Sequence, residues 1–299
     1  MTGSLTTDDP NKADMRARAP ITVIFPVLNE EANLPAALES VAWADEIIVV
    51  DSGSVDRTPQ IASEHRARVV QFKYDGSGPK KKAWALKTLS LHNEWVLLLD
   101  GDERITPDLQ AEIEQAITSS GISGFYIDRE FIFMNRSLRC FRPNWNMRLF
   151  MIDKGEIETL ELHDVPQTGD NEIHEHVQTE GKTAFLKSPM LHEDYRGIGP
   201  WIERHNKYAI WEAHLYRKFR SEPIGVGPVG FVRLDAFKRK RILRRIWVRL
   251  PGRPALRFFT WYVLRRGFLD GRVGFTFCVL MSWYELLINI KLSELETEG

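Results

Sequence analysis

Four times in the first third of the chain, a short β-branched or leucine-rich run ends in a polar, turn-forming stretch and gives way to a segment of helical length. The runs are Ile21 to Val27, Glu46 to Val50, Arg68 to Tyr74 and Trp95 to Asp100. The segments that follow are Glu30 to Ala42, Asp56 to His65, Pro79 to Ser90 and Pro107 to Ser119. Such alternation predicts βαβ units and a parallel sheet. The last segment carries its own start signals, with Thr106 as N-cap, Pro107 at the first helical position and Asp108 in the first turn. From Gly121 to Leu191 the strand-like pieces shorten (GFYIDREFIF, WNMRLFMI, KTAFLKS), which predicts a mixed-sheet second half. After Pro200 the pattern is helical, breaks at SEPIGVGPVG, and turns basic and aromatic.

Three regions follow: a tail over 1–19, an α/β domain over 20–220 and a helical extension over 221–299. The tail has no apolar run, so it is expected to be disordered and neither a secretory signal nor an anchor, leaving the protein in the cytoplasm. Two cysteines, Cys140 and Cys278, are too few and too far apart in sequence for a disulfide framework or a thiolate metal site. From Phe231 to Arg272 there are 13 Lys and Arg against Asp235 and Asp270, so this segment is +11 in a chain whose net charge is −1. Asymmetry of that size points to a polyanionic partner for one end. Val273 to Tyr284 is uncharged for only 12 residues, short of the roughly 20 that span a bilayer, so no transmembrane helix is expected.

Ligands of open α/β sheets sit beyond the carboxyl ends of the strands. Here those ends carry Pro26, Asn29, Glu30, Asp51, Ser52, Asp56, Asp100, Asp102 and Glu103. Leu97-Leu98-Leu99-Asp100-Gly101-Asp102-Glu103 drives an apolar strand into three carboxylates around a glycine. Mg²⁺ and Mn²⁺ take hard oxygen ligands and fill their remaining positions with water and phosphate oxygens, so this strand end can seat a metal diphosphate. An EF-hand is excluded because the twelfth position of the loop is Ala111. Gly76-Ser77-Gly78-Pro79-Lys80 lacks the order of a P-loop, and the first βα turn lacks the glycines of a dinucleotide fingerprint.

Pro26 to Glu30 after the first strand, Asp51-Ser52-Gly53-Ser54-Val55-Asp56 after the second and Asp100-Gly101-Asp102 after the fourth together resemble glycosyltransferase family two, whose members have a GT-A fold. Further motifs are similar to the lipopolysaccharide core β-glucosyltransferase subgroup. They are Gly78-Pro79-x-Lys81, Asp100 to Arg104, Ile173-His174-Glu175-His176-Val177, Leu191-His192 with Tyr195-Arg196, and Gly267-Phe268-Leu269-Asp270-Gly271. The likeness runs over roughly residues 20 to 290. A Gln-x-x-Arg-Trp motif is missing, so the chain does not resemble a processive synthase.

The resemblance implies an α/β GT-A domain with a helical, basic C-terminal extension. It implies an inverting, metal-dependent transfer of a hexose, glucose from a UDP-sugar, to a hydroxyl of lipopolysaccharide core or a related surface glycan. Pro26, Asn29, Glu30, Asp51 and Asp56 would hold the donor, with Glu30 and Asp56 on ribose and base. Asp100 would take the ribose or a metal-linked water, Asp102 the metal, and Lys81 or Lys82 the diphosphate charge. An inverting transfer needs a base near the acceptor hydroxyl, and Glu175 suits it once burial raises its pKa. His174 or His192 would complete the shell of Mn²⁺ or Mg²⁺, with His176, Asp194, Tyr195 and Arg196 as acceptor or secondary residues. A zinc site is disfavoured because no His-Glu-x-x-His spacing occurs.

Arginines interleaved with Trp247, Phe258, Trp261 and Phe268 match helices that lie at an anionic membrane surface. That predicts an enzyme peripheral to the inner face of the cytoplasmic membrane; the alternative is a core-packed helical cap with a solvated arginine face, or an interface with a second copy of the chain. No nucleic-acid module is recognisable. Two rival functions are a sugar-phosphate nucleotidyltransferase and a non-catalytic glycan-binding protein. The first needs a glycine- and arginine-rich loop where this chain has PVLNEEAN, and the second should lack a base or a metal carboxylate.

Overall fold

The computed structural model describes residues 18–74, 79–157, 176–224 and 236–297, and for 236–241 the backbone alone. Strands β1 (Ala19–Val27), β2 (Ala44–Asp51), β3 (Arg68–Gln71) and β4 (Trp95–Leu98) are parallel, in the order β3-β2-β1-β4. Helices α1 (Leu34–Glu39), α2 (Thr58–Glu64), α3 (Lys81–Thr88) and α4 (Pro107–Ala116) link or follow them.

Side-chain alternation explains why these strands read as unbroken apolar runs. Val23, Phe25 and Val27 pack with Leu34, Ile61, Leu109 and Ile113 on one face. Ile24 packs with Ile48, Val50, Val96 and Leu98 on the other. A sheet covered on both faces needs apolar residues at every position. Thr106 caps α4 as expected, its hydroxyl accepting from Leu109 N at 3.2 Å. The first helix begins later than its pattern suggests. Asn29 is left-handed (φ 54°), and Glu30 to Asn33 form a turn in which Asn33 N and Leu34 N both donate to Glu30 O.

The second half is mixed, as its shorter pieces predict. Its strands are β5 (Glu103–Arg104), β6 (Gly124–Phe133), β7 (Arg136–Ser137), β8 (Trp145–Met151), β9 (Gly155–Ile157), β10 (Val177–Thr179), β11 (Thr183–Phe185) and β12 (Met190–His192). β8 runs antiparallel to both β4 and β6, and β12 lies parallel to β6 and antiparallel to β5. The register places His192 opposite Glu103. Two segments distant in sequence therefore meet beside Asp102.

The helical extension is built onto this sheet. α5 (Ile198–Ser221) packs Ala209, Trp211, Leu215 and Phe219 against Val248, Ile288 and Leu292. α6 (Ala236–Trp247) and α7 (Arg253–Phe259) precede α8 (Gly271–Thr297). Phe131, Phe133 and Cys140 form a further cluster with Trp261, Phe277 and Cys278. The two cysteines, remote in sequence, thus meet in the core. Contact with Cys278, together with burial, pushes the Cys140 thiol up.

Two expectations for the C-terminal segment need correction. Several of its cations face inward: Arg244 bonds Glu212 at 2.9 Å, Arg245 pairs with Glu222, and Glu285 holds both Arg253 at 3.1 Å and Arg257 at 2.6 Å. Glu285 also does not end the apolar stretch, because it is fully buried and matched by two arginines and by Trp247 Nε1. The helical stretch Gly267–Thr297 is long and apolar enough to cross a membrane by length and composition.

Removing the Glu285 carboxylate would leave Arg253 and Arg257 uncompensated against the core. Glu285→Ala should cost about 3–5 kcal/mol in urea unfolding, as expected for breaking a buried ion pair from one side. A loss within error of zero would show that the two arginines find water instead.

Candidate active site

The sheet changes from parallel to antiparallel across β1, β4 and β8, and their ends open onto a cavity of about 900 Å³. Pro26, Leu28 and Glu30 come from the end of β1, Lys81 and Lys82 from α3, and Asp100, Gly101 and Asp102 from the loop after β4. β6 and β8 add Arg129 and Arg148, the chain after β12 adds His192 to Arg196, and α5 adds Arg204, His205 and Tyr208.

Each carboxylate of the Asp-Gly-Asp loop has a different partner set. Asp100 pairs with Lys82 Nζ at 2.9 Å and Arg148 Nη2 at 2.7 Å, while its own amide donates to Glu103. Burial pushes the Asp100 carboxyl up, but Arg148 and Lys82 outweigh it and hold the group well below the usual range. Glu103 is fully buried and takes Arg148 at 2.6 Å and Arg129 at 3.4 Å. Asp102 Oδ2 lies 3.1 Å from His192 Nε2, and against the effect of burial this contact lowers its pKa. Gly101 lies close against Glu30: a Cβ there would stand 3.0 Å from Glu30 Cγ, a tight contact that the Glu30 side chain would have to yield to.

Glu30 is the exception among these acids. It accepts from Asn33 Nδ2 at 2.7 Å and pairs with Arg196 at 3.0 Å. Burial, with the Asp102 charge beside it, nevertheless lifts its pKa to about 7. Asp194 is the opposite case, clamped by Arg196 at 2.8 Å and Arg204 at 2.7 Å. Those arginines hold its carboxyl far below the ordinary value in spite of burial. Arg104 pairs with Glu193 and lies over the Tyr195 ring at 5.0 Å.

Of the residues singled out from sequence, Pro26, Glu30, Lys81, Lys82, Asp100, Asp102, His176, His192, Asp194, Tyr195 and Arg196 line the cavity. Of the two lysines expected to face the donor, Lys81 is buried with its Nζ donating to Val27 O at 3.0 Å, and Lys82 pairs with the site carboxylate Asp100 at 2.9 Å. Asn29, Asp51 and Asp56 are not among the lining residues. Asp51 accepts from Ser54 and Gln71, Asn29 Oδ1 from Val55 N, and Asp56 from Glu31 N and Thr58 N. They stitch the loops after β1 and β2 together, as short polar side chains do in turns. His174 and Glu175 lie outside the described residues.

Sequence reading missed Arg148, Arg129 and Arg204. Arg148 left a signal, being a lone cation in the apolar strand WNMRLFMI, and such a residue is buried only beside carboxylates. Arg204, Trp201, His205 and Tyr208 recur at helical spacing on one face of α5, which also could have been read.

Among the described residues no three His, Cys, Asp or Glu side chains form a group able to hold an ion. Asp102 and His192 are two adjacent candidate ligands. They fit a hard divalent cation that completes its shell with phosphate oxygens and water.

The sequence profile of Glycosyl transferase family 2 matches residues 22–169. An uncharacterised glycosyltransferase of Rickettsia felis is 40% identical over 272 residues, covering 89% of this chain and 87% of that protein. The lipopolysaccharide core biosynthesis glycosyltransferase LpsC of Rhizobium meliloti is 26% identical over 233 residues, 74% of this chain and 82% of that protein. Some relatives are matched over part of their length only; the chain spans 28% of a TPR repeat-containing protein of Synechococcus elongatus. Among solved structures, glucosyl-3-phosphoglycerate synthase from Mycobacterium tuberculosis, in complex with Mn²⁺ and UDP-glucose, is 28% identical. It covers 38% of this chain and 44% of that one at a TM-score of 0.31.

The raised pKa of Glu30 has a measurable consequence. Unfolded, this carboxyl ionises near 4.5; folded, near 7. Between those values the native chain keeps a proton that the unfolded chain has released, so stability falls as pH rises through the window. In metal-free protein, Glu30→Gln should therefore become more stable than wild type on going from pH 4.5 to 7, by on the order of a few kcal/mol. Urea melts across that range measure it; two parallel pH profiles would show that Glu30 is ionised in the native cavity.

Proposed function

This chain belongs to glycosyl transferase family 2, and from that premise we propose that it transfers glucose from UDP-glucose, with inversion, to a hydroxyl of lipopolysaccharide core or a related lipid-linked surface glycan. One observation carries the reading. The cavity is lined by seven Lys and Arg against five Asp and Glu, an excess of positive charge in a chain whose net charge is −1. A site of that sign attracts a dianion such as a sugar nucleotide diphosphate. The relation to LpsC supports the choice of acceptor.

In the transfer, the acceptor oxygen bonds to the anomeric carbon as the bond from that carbon to the diphosphate breaks, and the hydroxyl proton passes to a carboxylate. Lys82, Arg148 and Arg204 offset the charge that grows on the departing diphosphate. A bound Mn²⁺ or Mg²⁺ would add Lewis-acid neutralisation there, and Asp102 with His192 would hold it. We assign the proton to Glu175. Its neighbour His176 lines the cavity, while the carboxylates of Glu193 and Asp194 are both tied to arginines, which hold Asp194 far below its ordinary value. The enzyme works in the cytoplasm, peripheral to the inner face of the membrane that carries its acceptor.

Asp102→Ala should abolish Mn²⁺-dependent binding of UDP-glucose, read by calorimetry, with thermal unfolding of the free protein preserved. Glu175→Gln should retain donor binding and lose on the order of 10² to 10⁴ in turnover, the usual worth of a general base. Full turnover in excess EDTA would overturn the metal role, and normal turnover by Glu175→Gln the base.

A further inference from the structure

A helix on the surface of a water-soluble domain turns a polar side outward. α8 does not. Phe277, Cys278, Glu285 and Ile288 are buried on its inner side, yet Phe275, Val279, Leu286 and Ile290 stand exposed in a stripe at helical spacing on the other. The segment before it continues the surface: Phe259, Val263, Leu264 (65% exposed), Phe268 and Leu269 are all exposed. Ring contacts join these pieces, with Tyr262 at 5.6 Å from Phe275 and 6.3 Å from Phe268. One continuous apolar face results, far from the scattered single residues that an ordinary surface shows.

Charge tells what covers it. Arg244, Arg245, Arg253 and Arg257 are consumed in internal pairs. Arg266 and Arg272, within the apolar face, are exposed and make no ion pair among the described residues. A cationic margin around inserted aromatic and aliphatic side chains is complementary to an anionic bilayer. A second copy of the chain would bring the same arginines against each other.

We propose that the face formed by α7, the turns at Thr260–Leu264 and Gly267–Asp270, and α8 inserts into the boundary between headgroups and acyl chains of an anionic bilayer, lying in its plane. The proposal rests on the reading that the acceptor is lipid-linked, and it gives that reading a geometry. Phe277 and Met281 on the inner side of α8 line the catalytic cavity, so a bilayer against the outer side holds the cavity at the surface where the acceptor is presented. α8 lies in the plane rather than crossing, because crossing would strip Glu285 from Arg253 and Arg257 and pull Ile288 and Leu292 out of their cluster on α5.

The test is flotation of the full chain with phosphatidylcholine vesicles, with and without phosphatidylglycerol, at low and high salt. Wild type should bind only the anionic vesicles, lose affinity as salt rises and be released by alkaline carbonate. Leu264→Glu with Phe268→Glu should weaken binding on the order of tenfold or more at any salt. Arg266→Gln with Arg272→Gln should lose most of the preference for anionic lipid. These positions are exposed, so both variants should unfold at the wild-type temperature. No binding of wild type to anionic vesicles, wild-type binding by the Leu264 and Phe268 variant, or retention after carbonate would each overturn the proposal. So would a wild-type dimer in sedimentation equilibrium that the same variant converts to monomer. Turnover with a detergent-free, water-soluble acceptor glycan separates the two readings: the apolar variant should keep wild-type turnover there, and if neither protein transfers sugar while wild type still floats, the functional assignment alone has failed.

Discussion

Arg148 is the pivot of the catalytic half. It sits 2.7 Å from Asp100 and 2.6 Å from Glu103, buried at the point where an antiparallel strand is inserted beside a parallel one. Burial pushes the Asp100 carboxyl up, and the Arg148 guanidinium together with Lys82 holds it well below its usual range. The loop geometry follows from that. Asp100 N donates back to Glu103, Gly101 passes close against the Glu30 side chain, and Asp102 lies against His192. The mixed sheet is thus part of the site, because β8, running antiparallel to β4, delivers Arg148 to both Asp100 and Glu103.

The helical half solves a similar problem with Glu285. A segment carrying so many arginines cannot pack against a core unless some of them are matched, and one buried carboxylate takes two of them. Arg253 and Arg257 also lie over the rings of Tyr216 and Trp247, at 5.0 Å and 4.7 Å, where a planar guanidinium keeps a favourable contact without water. Arg266 and Arg272, exposed and without an ion pair among the described residues, lie within the apolar face. Sequence charge alone overstates how many of these arginines are available to a partner.

What was legible in the sequence was local or periodic. The parallel strands, the Thr106 cap, the extents of β6 and β8 and the acids at the strand ends all depend on neighbours a few residues away, so period and turn chemistry reveal them. The roles of Asn29, Asp51 and Asp56 were less legible, since Asp-Ser-Gly-Ser-x-Asp fits a ligand loop and a hydrogen-bonded turn equally well, and only the bonds to Val55, Ser54 and Thr58 show the turn. Arg204 on Asp194 and the meeting of Cys140 with Cys278 needed the tertiary path of α5 and α8. The apolar length of α8 was misjudged for a physical reason as well: a glutamate counts as charged in a hydropathy window even when two arginines and burial cancel it.

The balance of charge in the cavity bears on how metal and donor would cooperate. Its lining is already net positive, and the carboxylate that would meet the metal, Asp102, has His192 for its immediate neighbour. A divalent cation alone therefore enters a cavity in which cations outnumber carboxylates. A diphosphate entering first offsets that excess and supplies further oxygens, so on the proposed reading each ligand strengthens the other by the same factor. Glu30 belongs to the same coupling. Burial first, and the Asp102 charge beside it second, raise its pKa, and a cation on Asp102 would offset the second of these, so metal binding would favour ionisation of Glu30.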